Sequence, residues 1–257
     1  MNKTAISWTS VTWNPVHGCS RVSEGCRNCY AERLSLQKGF TKLPWTAPNA
    51  SANVLLKPHK LRDPYKLKEP SRIFVNSMSD LFHPLIPNDY RTQIFEVMAS
   101  TPQHTYQILT KRPENAATWP GPWVPNIWMG TSVEDRKSLP RLDALRECPA
   151  QIRFISFEPL LESLYGFDLT GYHWAIVGGE SGPGYRPMNH LWARSIKERC
   201  VEKAVAFFFK QSAAPRTETG PSLQDWDGQF YTWHQFPGQL IAPVPATPHR
   251  YACPRAA

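Results

Sequence analysis

The chain has 257 residues, of which 41% are hydrophobic, 12% aromatic and 19% charged. This composition excludes a disordered chain, and the length is sufficient to bury the core of one α/β barrel. The formal net charge of +8 favours either an anionic partner such as nucleic acid or a merely solvated basic surface, because the basic residues are dispersed. No segment is apolar enough for a membrane span or a secretory leader, so we expect a cytoplasmic protein without a membrane partner.

From residue 73 onward, short apolar runs alternate with polar clusters and helical segments, which is typical of βα units. The runs are apolar almost throughout, which predicts strands buried on both faces of a parallel sheet. With one more strand within residues 5–13, they predict an α/β protein with a partial or full (β/α) TIM-type barrel of mostly parallel strands. The six runs are Ile73–Val75, Tyr106–Leu109, Ile127–Met129, Arg153–Phe157, Trp174–Val177 and Ala206–Phe209.

Most segments between these strands have apolar residues at helical spacing. Two segments show no periodic spacing of apolar residues. Residues 40–72 and 213–257 are rich in proline, threonine and serine, so we expect an excursion over the barrel mouth and an irregular C-terminal extension packed on the barrel. The barrel domain is then residues 1–212. The predicted helices are residues 31–39, Asn88–Ser100, His190–Val205, and Arg136–Glu147, which should begin late because of Pro140.

Polar clusters stand at the carboxyl end of each predicted strand. In parallel α/β folds the loops at that end converge, so ligands bind there. A capping role is an equal alternative for Asp80, His83, Glu134 and Asp135. The clusters are Asn76 to Asp80, Thr110 to Arg112, Thr131 to Asp135, Glu158, Glu180 with Ser181, and Lys210 with Gln211.

Cys19, Cys26 and Cys29 form a C-x6-C-x2-C array within eleven residues. In a reducing compartment such spacing indicates metal ligation or redox chemistry before it indicates disulfides. Three thiolates can hold an iron-sulfur cubane and leave one iron open. Two alternatives remain: a structural zinc site with His17 as the fourth ligand, and a dithiol redox pair at Cys26 and Cys29.

The array stands in a chain whose motifs from Trp13 to Gly182 resemble those of the radical SAM superfamily, in particular a phage-associated family of that type. The pattern departs from the usual C-x3-C-x2-C motif, because the first gap is three residues longer and Tyr30 follows Cys29 instead of an aromatic residue preceding it. The motifs that carry the resemblance are WNPVHGC, CRNCYA, SMSDLFH, LTKRP, GTSVE, FEPLL and GGESG.

The resemblance implies an enzyme with a 4Fe-4S cluster that cleaves S-adenosylmethionine to a 5′-deoxyadenosyl radical and acts in nucleic acid repair or modification. It further implies a nucleic acid or nucleotide substrate, an electron donor such as flavodoxin or ferredoxin, and a partner protein. The alternative is a zinc-stabilised nucleic-acid-binding protein without catalysis. The implied residues are Cys19, Cys26 and Cys29 for the metal; Asn76, Ser77, Ser79, Asp80, Thr131, Ser132 and Glu134 for the cofactor; Lys111 and Arg112 for a carboxylate or phosphate; and Glu158, Glu180, Lys111 and Tyr30 as catalytic candidates.

Overall fold

The protein, described here as a computed structural model of residues 2–239 and 242–246, has thirteen strands and six α-helices in those ranges. The helices are α1 (Tyr30–Gln37), α2 (Ala50–Asn53), α3 (Asn88–Ala99), α4 (Pro113–Ala117), α5 (Pro140–Arg146) and α6 (His190–Glu202). The strands are β1 (Asn2–Lys3), β2 (Val11–Trp13), β3 (Val16–His17), β4 (Leu55–Leu56), β5 (Arg72–Val75), β6 (Thr105–Thr110), β7 (Ile127–Ser132), β8 (Ile152–Phe157), β9 (Trp174–Gly178), β10 (Ala206–Gln211), β11 (Ser222–Gln224), β12 (Phe230–Thr232) and β13 (Val244–Ala246).

Seven parallel strands form the centre of the molecule. They lie in the order β2, β5, β6, β7, β8, β9 and β10, and β1 pairs antiparallel with β2 at one edge. The six strands predicted from the apolar runs are therefore confirmed, with parallel neighbours throughout. The runs are buried on both faces of the sheet. Helices cover the outer face, and on the concave inner face the side chains of the curved sheet pack against one another.

The sheet is curled into a half-barrel, as the contacts of Trp8 demonstrate. Its ring centroid lies 4.7 Å from that of Phe74 on β5 and 6.1 Å from that of Trp174 on β9. Those strands are four positions apart in the sheet, which is roughly 19 Å when a sheet is flat. One indole can reach both only across a curved interior, so the expected partial barrel is confirmed, whereas a complete TIM barrel is not formed by the described strands.

The helices pack on the outside of the half-barrel, as amphipathic segments require. On α3 the buried side chains include Ile94, Phe95 and Met98, which recur at helical spacing. Pro140 occupies the first position of α5, where its missing N–H has no partner to lose. The late start expected for this helix is thus confirmed.

The C-terminal segment is more regular than its composition predicts. Instead of an irregular extension, β11, β12 and β13 form a three-stranded antiparallel sheet. Trp233 packs edge-on against Phe207 of β10, so this segment covers the barrel. In the excursion before β5, β4 pairs with β3. No helix in the described ranges is both long and apolar enough to cross a bilayer.

Candidate functional site

A pocket of about 630 Å³ opens at the carboxyl ends of the parallel strands. One wall consists of groups that follow successive strands, and the other consists of the cysteine loop (residues 19–29) and α1. The floor is apolar and includes Ile6, Trp8, Phe74 and Leu109. This volume lies in the range that holds small-molecule ligands. We call this cavity the strand-end pocket.

Cys19, Cys26 and Cys29 all line the strand-end pocket. Burial raises the pKa of the Cys19 thiol to about 12, with a further increase from Asp80 and an opposing effect of Arg112. Burial also raises the pKa of Cys29. Within the described ranges, no three His, Cys, Asp or Glu side chains are grouped as a metal site. The three sulfurs thus line one pocket without being grouped as ligands in this arrangement of the loop, and their role in holding a metal stays a prediction.

Asp80 is buried, and both oxygens of its carboxylate accept hydrogen bonds from protein donors. Oδ2 accepts from Arg112 Nη1 at 2.9 Å and from the Lys111 N–H at 3.1 Å, and Oδ1 accepts from Thr110 Oγ1 at 2.6 Å. Arg112 in turn donates to Cys19 Sγ at 3.6 Å and to the Ser20 carbonyl at 2.9 Å. The Asp80–Arg112 ion pair therefore holds the start of the cysteine loop next to the end of β6.

Glu134 and Glu180 each form an ion pair with a neighbouring arginine. Glu134 is fully buried against Arg141, and burial, which raises its pKa, is outweighed by Lys111 and Arg141, so that the pKa lies below its ordinary value. Glu180 accepts from the Arg186 N–H at 2.8 Å, and the hydrogen bonds from Arg186 likewise outweigh burial and lower its pKa. Both carboxylates are ionised at neutral pH and engaged within the protein.

Glu158 and Lys210 form an ion pair that faces the pocket, with Nζ 3.1 Å from Oε1. Burial alone would lower the pKa of Lys210, but Glu158 and Glu218 outweigh it and raise the pKa. Glu218 also lines the pocket, and burial raises its pKa while Lys210 opposes that increase. Sequence reasoning missed Glu218, because it lies in a segment without periodicity.

The remaining predicted residues differ in their access to the pocket. Thr131 does not line it, because its Oγ1 donates to the Thr110 carbonyl at 2.9 Å between adjacent strands. Glu134 does not line it either, since the cations described above enclose it. The predicted residues that do line it are Tyr30, Asn76, Ser77, Ser79, Asp80, Lys111, Arg112, Ser132, Glu158 and Glu180. Their roles toward a cofactor or substrate stay predictions.

Two cations at the pocket have no ion-pair partner in the described part of the chain. Arg33 belongs to α1, and its guanidinium lies over Gly182. Arg216 is exposed on the segment after β10. The other pocket cations are paired, as Arg112 is with Asp80 and Lys210 with Glu158. Among the described cations that line the pocket, only Arg33 and Arg216 are therefore free to pair with an anionic ligand.

Comparison with known proteins corrects the resemblance drawn from the motifs. A family profile described as "Protein of unknown function (DUF5131)" matches residues 3–237, whereas no radical SAM family matches. No curated protein and no solved structure matches the chain. The assignment to the radical SAM superfamily is therefore wrong, also because the described cysteines do not form the expected cluster. The chain belongs to the family described as protein of unknown function (DUF5131).

Proposed function

We propose that the strand-end pocket is the active site of an enzyme in which Cys19, Cys26 and Cys29 hold an iron-sulfur cluster that cleaves S-adenosylmethionine. The observation that carries the proposal is that these three thiols line one pocket at the carboxyl ends of a parallel sheet. That edge is where parallel α/β proteins bind ligands. The proposal concerns the chemistry of this pocket and does not place the chain in the radical SAM superfamily.

The donor set fits such a group by its chemistry. Three cysteines and no histidine line the described pocket, which suits a cluster that leaves one iron open. Because the sulfurs are not grouped as ligands, the cysteine loop would have to move for the metal to bind. Metal binding would also displace the thiol protons that burial retains on Cys19 and Cys29. When bound and reduced, the cluster would supply the electron that breaks a carbon–sulfur bond of the sulfonium.

Asn76 supports the binding of a ligand that carries a carboxylate. Its Oδ1 accepts from the Val16 N–H at 3.2 Å, which fixes the orientation of the amide. Its Nδ2 is buried, and no hydrogen-bond partner for it lies in the described ranges. Because an unmet buried donor costs about 1–3 kcal/mol, a local movement of the pocket that brought a ligand oxygen within reach of Nδ2 would be favourable. The methionine carboxylate of S-adenosylmethionine is such a ligand group.

The other pocket residues would orient the ligand and exclude water. The aromatic floor at Trp8 and Phe74 offers a surface for a flat ring such as adenine. Glu158 and Lys210 together present a carboxylate and an ammonium group to the cavity. The unpaired Arg33 and Arg216 support a substrate that bears phosphate, such as a nucleotide or nucleic acid.

Anaerobic reconstitution of the full chain tests the proposal. Iron and sulfide are measured first, and 5′-deoxyadenosine is measured after addition of S-adenosylmethionine and a chemical reductant. We expect the wild type to bind iron, absorb visible light and form 5′-deoxyadenosine, and Cys26→Ala to lose all three. Cys148→Ala is the matched control, because that thiol is buried outside the pocket.

Two results would overturn the proposal. A wild-type protein that binds no iron, or that binds it and forms no 5′-deoxyadenosine, lacks the proposed chemistry. A colourless protein that retains zinc would instead agree with a zinc-stabilised nucleic-acid-binding protein. The described geometry supports that alternative less, because His17 does not line the pocket with the three cysteines.

A further inference from the structure

One buried carboxylate connects the middle of the cysteine loop to the barrel. Glu134 lies two residues after the end of β7 and accepts a hydrogen bond from Ser23 Oγ through Oε1. On its other side, Oε2 accepts from Arg141 Nη1 at 2.6 Å, and Lys111 Nζ lies 3.7 Å from Oε1. Ser23 and Glu134 are 111 residues apart in the chain, so this contact is purely tertiary.

We infer that Glu134 is a positioning residue that holds the Ser23–Cys26 turn, and with it the Cys26 thiol, at the edge of the strand-end pocket. The Cys26 N–H donates to the Ser23 carbonyl at 3.0 Å, so the two residues belong to one tight turn. Whatever fixes Ser23 therefore fixes Cys26. Arg141 and Lys111 keep the carboxylate charged and in place, which allows it to accept from the serine hydroxyl in a buried position.

Gly25 provides independent evidence for this docking. A Cβ built on Gly25 would lie 2.2 Å from Cγ and 2.3 Å from Oε1 of Glu134. The turn therefore approaches the carboxylate so closely that a side chain on residue 25 would have to displace one or the other. Contact by both a hydrogen bond and backbone packing distinguishes this site from an incidental surface interaction.

The inference uses the pocket of the proposed function, but it concerns the metal-free protein. Its test is the rate at which each cysteine of the folded full chain is alkylated, resolved by mass spectrometry of the peptides. Cys148 and Cys200 are buried elsewhere and serve as internal standards for global opening. A failure of cluster binding would leave this result unchanged, so the two proposals can fail separately.

Ser23→Ala is the decisive variant, because it removes the hydroxyl donor and leaves every charge in place. We expect its Cys26 alkylation rate to rise about tenfold, which corresponds to the loss of one hydrogen bond to a buried charge. Glu134→Gln should act in the same direction. Glu162→Gln removes the same charge from an exposed ion pair with Arg136 and should leave Cys26 unchanged.

Two outcomes would overturn the inference. One is a Cys26 rate that stays at the wild-type value in Ser23→Ala and in Glu134→Gln, because the turn would then be held by other contacts. The other is an equal rise at Cys26, Cys148 and Cys200, which would mean that the whole protein opens and that the effect is not local.

Discussion

Asp80 and Arg112 form a buried ion pair, with Oδ2 2.9 Å from Nη1. The carboxylate belongs to the segment after β5 and the guanidinium to the segment after β6, so the pair ties two neighbouring strand ends together. Arg112 also donates to the Ser20 carbonyl. The same ion pair therefore connects the sheet to the cysteine loop.

We expect Asp80→Asn to lower the free energy of unfolding by roughly 3 kcal/mol, because it leaves the Arg112 guanidinium buried without a counterion. Denaturant titration of the metal-free protein measures this change. Asp143→Asn is the control, since it breaks the ion pair between Asp143 and Arg146. The Asp143 side chain is 82% exposed. Such an exposed pair contributes at most about 1 kcal/mol. Equal effects of the two substitutions would show that burial of Asp80 does not matter.

The strands were predictable because each is a local apolar run that ends in polar residues. Ile127–Met129, for example, lies within β7 and is followed by the polar residues that end the strand. The spacing of apolar residues along a strand is a local property, so it can be recognised in a single sequence. The half-barrel follows from how such runs pair and curl, and Trp8 shows the curvature only through contacts made far along the chain.

The site was predictable only in position. The sequence places Glu134 and Glu180 at strand ends, yet it does not reveal that Arg141 and Arg186 neutralise them. Such pairings depend on side-chain directions after folding. Glu218 had no local signal at all, because neither its neighbours nor its spacing identify the backbone turn, with φ of 54°, that brings it to the pocket.

A buried histidine should make stability depend on pH. Burial lowers the pKa of His190 to about 4, and Arg194 adds to the effect. The unfolded chain therefore binds a proton between pH 6.5 and 4 that the folded chain does not, so the stabilisation is complete above pH 6.5 and is lost as the pH falls toward 4. We expect a loss of roughly 3 kcal/mol across that interval.

Denaturant titrations from pH 7 to 4 measure this dependence. His190→Gln, which keeps a polar group near Ser212, should make the dependence shallower. The exposed His59 provides the control, and His59→Gln should retain the wild-type slope. If His190→Gln retains it as well, the pH dependence originates from other groups.

Arg33 and Arg216 should contribute to the binding of a single-stranded oligonucleotide. Each contact with a phosphate changes the slope of log K against log salt concentration by about 0.7 for single strands, so the double substitution to Gln should reduce the slope by about 1.4. Fluorescence anisotropy at several salt concentrations measures it. Arg62→Gln with Lys68→Gln removes the same charge outside the pocket, from cations that also have no ion-pair partner in the described ranges. An equal reduction in both double variants would indicate only a general effect of net charge.

Asn76 offers the most direct test of the proposed ligand. Its φ of 58° lies in the left-handed region, which glycine adopts without strain. Asn76→Gly therefore removes the buried Nδ2 donor, and the relief of strain partly offsets the loss of the hydrogen bond that Asn76 Oδ1 accepts from the Val16 N–H. We expect the melting temperature to change little and the affinity for S-adenosylmethionine, measured by calorimetry on the reconstituted protein, to fall about tenfold.

Asn76→Asp adds the test of charge. Its carboxylate would replace a donor with a negative group that repels the methionine carboxylate, so the affinity should fall further than in Asn76→Gly. The expected order of affinity is therefore wild type, then Gly, then Asp. If both variants bind as tightly as the wild type, the ligand does not use Nδ2. If Asp binds more tightly than Gly, the group beside residue 76 is cationic, and the methionine amino group would then occupy the position that we assign to the carboxylate.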